Sequence, residues 1–137
     1  MNRVVAFGTF DIFHPGHISF LKQAKKLGDY LLIVVARDQN TLKVKGKLPR
    51  NNEKARLRAV RKAKIADKVI LGSKTNNYFR TLRTNKIDLI ALGYDQKPTI
   101  FELRKALRSH RLTQVALRRL KPYNPAKYKS SKLDRKI

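Results

Sequence analysis

Gly8-Thr9-Phe10-Asp11-Ile12-Phe13-His14-Pro15-Gly16-His17 joins a β-branched run at 3–7 to a stripe in which Ile18, Leu21, Ala24 and Leu27 recur every third position before Gly28. An apolar run ended by glycine reads as a strand, and the stripe as one face of a helix. The ten residues are therefore a strand-to-helix turn. Outward from it, residues 30–36 are apolar without alternation, the pattern of a strand covered on both faces. Residues 68–71 and 88–92 read as further strands, each followed by glycine (Gly72, Gly93), and 114–117 as a fifth. Helices fall between them: one capped by Asn52 and running to about 62–64, a short turn at 78–84, and one at 99–109 with Ile100, Leu103 and Leu107 on one side. Residues 130–137 form a candidate terminal helix. Residues 37–52 read as a long polar loop carrying Lys43, Lys45 and Lys47; unstructured loops above ~12 residues are uncommon and tend to be functional.

Alternating strands and helices imply an α/β fold: a Rossmann-like parallel sheet with helices on both faces, built by right-handed crossovers. The 137 residues fit a single domain, 1–137, since domains commonly span ~100–150 residues. Ligands of such sheets gather at the carboxyl ends of the strands, near the switch point of strand order. The loop after the first strand and the segment Gly93-Tyr94-Asp95-Gln96 both lie at such ends.

The chain carries 33 Lys and Arg against nine Asp and Glu, a net charge of +24. Residues 1–40 hold five bases against three acids, 41–100 sixteen against four, and 101–137 twelve against two. Such a balance suits nucleic acid, and equally small polyanionic substrates. With no cysteine there is no disulfide, no Cys-ligated zinc and no thiol nucleophile. No apolar run is long enough to span a membrane, the start lacks the pattern of a signal peptide, and the expected location is cytoplasmic. A Gly-x-Gly-x-x-Gly dinucleotide loop and a Gly-x-x-x-x-Gly-Lys-Ser/Thr phosphate loop are both missing, which argues against an NAD enzyme and a P-loop kinase.

The opening turn has what a nucleotide-phosphate site requires. Glycine after a strand lets the backbone approach a ligand closely, and a helix N-terminus offers free N–H groups and a favourable dipole to anions. His14 and His17 flank Pro15-Gly16 there, each able to donate a hydrogen bond to phosphate oxygens. Other readings stand beside this one: a histidine at a helix start serves as a cap or a surface residue, and His-x-x-His is half of a metal site. A general-base role for one histidine is a further reading.

Gly8-Thr9-Phe10-Asp11 followed by His14-x-Gly16-His17 resembles the motif of the cytidylyltransferase-like nucleotidyltransferase superfamily. That group includes glycerol-3-phosphate cytidylyltransferases, pantetheine-phosphate adenylyltransferases and archaeal FAD synthases. The resemblance runs along nearly the whole chain. Gly28-Asp29, Ala36-Arg37-Asp38, Leu92-Gly93-Tyr94-Asp95-Gln96 and Ser130-Ser131 are similar to the archaeal FAD synthases, which rank first. What the resemblance implies is transfer of AMP from ATP to FMN, giving FAD and pyrophosphate, with Mg²⁺ bridging triphosphate oxygens. No protein ligand for that metal is named.

By the same resemblance, Thr9, Phe10, Pro15 and Gly16 border the nucleotide, while His14 and His17 stabilise charge on the α-phosphate. Lys43 or Lys45 matches a loop lysine that reaches the triphosphate, and Arg56 a phosphate-binding arginine. Asp95 is expected at base or ribose, although an aspartate there also serves as a helix cap. Tyr123 is expected beside the base, and Ser130 and Ser131 at an anion-binding start of the last helix. Residues 120–137 would then complete the nucleotide site. A homodimer is also implied.

The chain departs from the pattern in two places. Pro125-Ala126-Lys127-Tyr128-Lys129 stands where glycerol-3-phosphate cytidylyltransferases carry Arg-Thr-Glu-Gly-Ile, and the C-terminal cysteines of many archaeal FAD synthases are absent. Two alternatives remain at this stage: CMP transfer from CTP to glycerol 3-phosphate, and a basic nucleic-acid-binding protein that keeps the fold without catalysis.

Overall fold

Strand β2 (Tyr30–Val35) shows why its sequence is continuously apolar. Leu31, Ile33 and Val35 enter one hydrophobic core, whereas Leu32 and Val34 enter a second on the opposite face. The computed structural model, which describes residues 2–74, 78–93 and 100–121, places β2 between β1 (Arg3–Gly8) and β3 (Lys68–Leu71). With β4 (Leu89–Leu92) and β5 (Ala116–Arg119) these make a five-stranded, all-parallel sheet of order β3-β2-β1-β4-β5. Helices α1 (Pro15–Lys25) and α3 (Glu53–Lys62) supply Leu21, Ala24 and Val60 to the first core. Helices α4 (Tyr78–Thr84) and α5 (Ile100–Ser109) supply Leu82 and Leu107 to the second. The expected two-faced α/β architecture is therefore present.

The strand order reverses between β1 and β4, so the loops leaving their carboxyl ends face one crevice. The amino ends are finished differently. Asp29, Asp67 and Asp88 accept hydrogen bonds from the backbone N–H groups of Asn2 (2.7 Å), Leu31 (2.8 Å) and Arg3 (2.8 Å). Three of nine acids are thus spent on closing one edge of the sheet, away from the crevice.

The larger departures from expectation fall in three elements, beside shifts of one or two residues elsewhere. The segment 37–52 is not a continuous loop: α2 (Asp38–Lys45) occupies its first half and ends at Gly46, which adopts a left-handed φ of 78°. The polar composition hid the helix, although Asp38 in its first turn and glycine just past its end are standard boundary signals. α1 begins at Pro15, three residues before its apolar stripe, because proline at the first helical position fits the fixed φ it needs. β5 starts at Ala116 and not at 114, because its register is set by β4, from Leu89↔Ala116 to Leu92↔Arg119. Val115 is left to pack in the second core, and Leu120 enters the first. The terminal helix expected at 130–137 lies outside the described residues.

Candidate active site

The turn after β1 is built around Phe10. Its ring is buried in the first core at 5% exposure, and its backbone takes a positive φ of 55°; Ile12 does the same at 49°. Left-handed backbone at a non-glycine residue costs on the order of 1–3 kcal/mol and persists only where surrounding contacts enforce it. Here Phe10 is enforced by burial and by Gly8, where an added Cβ would lie 2.7 Å from the Phe10 ring. Glycine at this position is what lets the chain fold back on itself.

That fold delivers His14 and His17 to the start of α1. His14 is the N-cap: its Nδ1 accepts from the Gly16 N–H at 3.0 Å. His17, one turn in, accepts the His14 N–H on its own Nδ1 at 3.4 Å. A nitrogen that accepts carries no proton, so the proton of each neutral ring resides on Nε2. The two rings stack with centroids 3.8 Å apart. Phe13 stacks on His17 at 5.4 Å, and Phe10 meets its edge at 5.5 Å. Burial, reinforced by His14 and by the Lys45 charge, pushes the His17 imidazole down to about 3. Burial lowers His14 as well. Both rings are neutral hydrogen-bond donors across the physiological range.

The facing wall comes from α2 and α3. Lys45, near the end of α2, donates from Nζ to Thr9 Oγ1 at 3.1 Å. Lys43 is exposed two residues earlier, which on a helix of ~3.6 residues per turn faces roughly the opposite way. Of the two lysines, Lys45 is the one brought to the turn. Arg56 is 1% exposed, and four hydrogen bonds hold its guanidinium. It donates to the carbonyls of Asn51 (2.9 Å), Thr9 (2.8 Å) and Ala36 (2.8 Å), and to Asp38 Oδ1 at 2.6 Å. Arg56 thereby ties the turn after β1 to the end of β2 and the start of α2. In this arrangement its guanidinium is engaged by three backbone carbonyls and Asp38.

Three residues of the site were given no role of their own by the sequence. Asp38 pairs with Arg56 and exchanges backbone bonds with Glu53, whose Oε1 accepts from the Asp38 N–H at 3.0 Å. Asp11 accepts from the Arg50 and Asn51 N–H groups at 2.7 and 3.0 Å, fixing the entry to α3. Arg119, at the end of β5, donates to the Gly93 carbonyl at 2.6 Å across the crevice edge. Asp11 lay within the opening motif and Asp38 within the matched Ala36-Arg37-Asp38, neither with a role assigned to it; Arg119 lay in a basic run with nothing to distinguish it. Asp95, Tyr123, Ser130 and Ser131 fall outside the described residues.

Among the described residues no cluster of three or more His, Cys, Asp or Glu could hold a metal ion. The Nδ1 atoms of His14 and His17 are occupied by backbone N–H groups, which removes them as ligands of a shared site. No helix among the described residues is long and apolar enough to cross a membrane.

Comparison with known proteins matches this arrangement to a family. The cytidylyltransferase-like family model matches residues 5–136. An FAD synthase of Thermoplasma volcanium is 42% identical over 137 residues, covering all of this chain and 94% of that one. An FAD synthase of Archaeoglobus profundus is 46% identical over 132 residues, covering 96% and 82%. A crystal structure from Thermoplasma volcanium GSS1, described as a lipopolysaccharide core biosynthesis protein, superposes with a TM-score of 0.81 at 42% identity over 90% of this chain and 99% of that one. With a turn, a sheet order and a family model that agree over nearly its whole length, the chain belongs to the cytidylyltransferase-like family.

Proposed function

We propose that this chain is an FAD synthase, transferring AMP from ATP to the phosphate of FMN with release of pyrophosphate. The observation that carries the reading is the neutral His14–His17 pair facing Lys45 across Thr9, on a chain 42% identical to a whole FAD synthase. An ionised FMN phosphate oxygen attacks the α-phosphorus of ATP in line. The new P–O bond forms as the bond to the β-phosphate bridge breaks, and the electron pair leaves on pyrophosphate. ATP enters as its magnesium complex, so the metal arrives with the substrate and no step depends on a protein ligand for it.

The reacting oxygen is already deprotonated, so neither histidine has to remove a proton. Their role is donation: the Nε2–H groups stabilise charge on the α-phosphate oxygens without bringing a positive charge of their own. Dipoles fixed before the reaction cost no reorganisation when charge develops. Lys45 supplies the full positive charge that offsets the triphosphate. Thr9 and Phe10 place backbone near the nucleotide, with Pro15 and Gly16 setting the helix start. Asp95, Tyr123, Ser130 and Ser131 complete the nucleotide pocket in this reading, as part of one domain spanning 1–137. The enzyme works in the cytoplasm, and sedimentation tests the homodimer.

The deciding experiment incubates the protein with FMN, Mg²⁺ and either ATP or CTP, then separates the flavins by chromatography. FAD with ATP alone is the expected result. No flavin dinucleotide with either triphosphate overturns the acceptor and returns glycerol 3-phosphate with CTP to first place.

A further inference from the structure

Helix α3 and strand β3 carry a basic face that the proposed reaction does not use. Lys54, Arg58 and Lys62 recur at every fourth position of α3, which aligns them on one side of the helix. Arg61, Lys64 and Lys68 continue the surface, and all six are exposed. Arg61, Lys64, Asp67 and Lys68 line a shallow groove of about 460 Å³ beside β3, at the amino end of that strand and so at the opposite edge of the sheet from His14 and His17. The two acids of the 53–71 stretch are both engaged, Glu53 by Arg37 and Asp67 by Lys25. The cations therefore face solvent with little local compensation.

We infer that this face binds a nucleic-acid duplex through its phosphates, independently of sequence. A row of cations at helical spacing beside a shallow groove suits a regular line of phosphates. Residues 53–71 contain no Phe, Tyr or Trp. Single-strand binding without sequence preference relies on aromatic side chains for base stacking, so this face has the means to hold a backbone and none to hold unstacked bases. The surface belongs to the +24 chain as a whole in sign, yet its geometry is local.

The test compares three proteins for binding a mixed-sequence RNA duplex across a salt series. They are the parent chain, the variant Arg58→Gln/Lys62→Gln/Lys68→Gln, and a control Arg104→Gln/Lys105→Gln/Arg108→Gln that removes the same charge from α5. None of these six residues belongs to the proposed active site, and thermal unfolding with FAD formation checks that all three are folded. For the first variant the slope of log K against log salt should fall by ~3, about one per lost phosphate contact, with affinity at least ~10-fold weaker at low salt. The control should keep most of both. Equal losses in the two variants mean that net charge alone drives binding, and overturn the inference. So does tighter binding of a single strand of the same length, or of vesicles rich in anionic lipid.

Discussion

On one side of the site, the His17 imidazole is held by Phe10, Phe13 and His14 and kept neutral by burial. On the other, Lys45 reaches Thr9 from an exposed helix while Arg56 lies wholly buried behind it. The histidine wall is fixed by aromatic contact and by backbone capping. In the cationic wall, positioning and charge are divided between two residues. Arg56 has its hydrogen bonds committed to Thr9, Ala36, Asn51 and Asp38, whereas Lys45 is exposed and donates to Thr9 Oγ1.

Four changes would break or sharpen that contrast. Arg56→Met strikes deepest, since three carbonyls and the part-exposed Asp38 lose their guanidinium partner; the loss of those bonds costs on the order of 3 kcal/mol. Denaturant unfolding reads it, and a stability loss below about 1 kcal/mol would mean that Arg56 is not the tie described here. His17→Ala should lower turnover by ~10²–10³, the scale for losing one transition-state donor, with a smaller loss of stability than Arg56→Met. Near-normal turnover in that variant would remove the mechanism.

The third change is pH. Folded His17 resists protonation down to about 3, whereas an unfolded histidine takes its proton near ~6.5. Between those values the unfolded chain binds more protons, so stability is undiminished above pH ~6.5 and declines as pH falls toward 3, by up to ~1.4 kcal/mol per pH unit for this one group. His14 acts in the same direction. Between pH ~6.5 and 3 the stability of His17→Ala should fall less steeply than that of the parent; an unchanged slope would place the acid sensitivity elsewhere. The smallest effect belongs to Lys45→Met. Loss of a charged hydrogen bond of ~1.5–3 kcal/mol should reduce kcat/KM for ATP roughly ten-fold or more, while stability stays within ~0.5 kcal/mol. Lys43→Met should cost less activity than Lys45→Met, and the reverse order would exchange the two lysines.

Much of the fold was legible because both periodicities were clean. Residues 30–36 read as a two-faced strand, and Leu21 and Ala24 marked the buried face of α1, because burial on both sides or on one leaves a direct imprint on composition. α2 left no such imprint. Its residues are polar, and its ends are held by Asp38, Glu53 and Gly46 without an apolar face broad enough to show. The start of β5 was equally opaque, since an edge strand with Arg118 and Arg119 takes its register from β4.

The sequence by itself determined the strand-to-helix turn, the parallel sheet, the family and the two histidines, because each depends on local residue types at fixed spacing. Only the tertiary structure decided that Arg56 is an internal tie and that Lys45 is the cation at Thr9. It also decided that His17 stays neutral. The Arg56 and Lys45 outcomes depend on partners 18 to 47 positions away, Asp38, Ala36 and Thr9 among them, and that of His17 on burial. A linear pattern does not encode which of many basic residues loses its water when the chain closes.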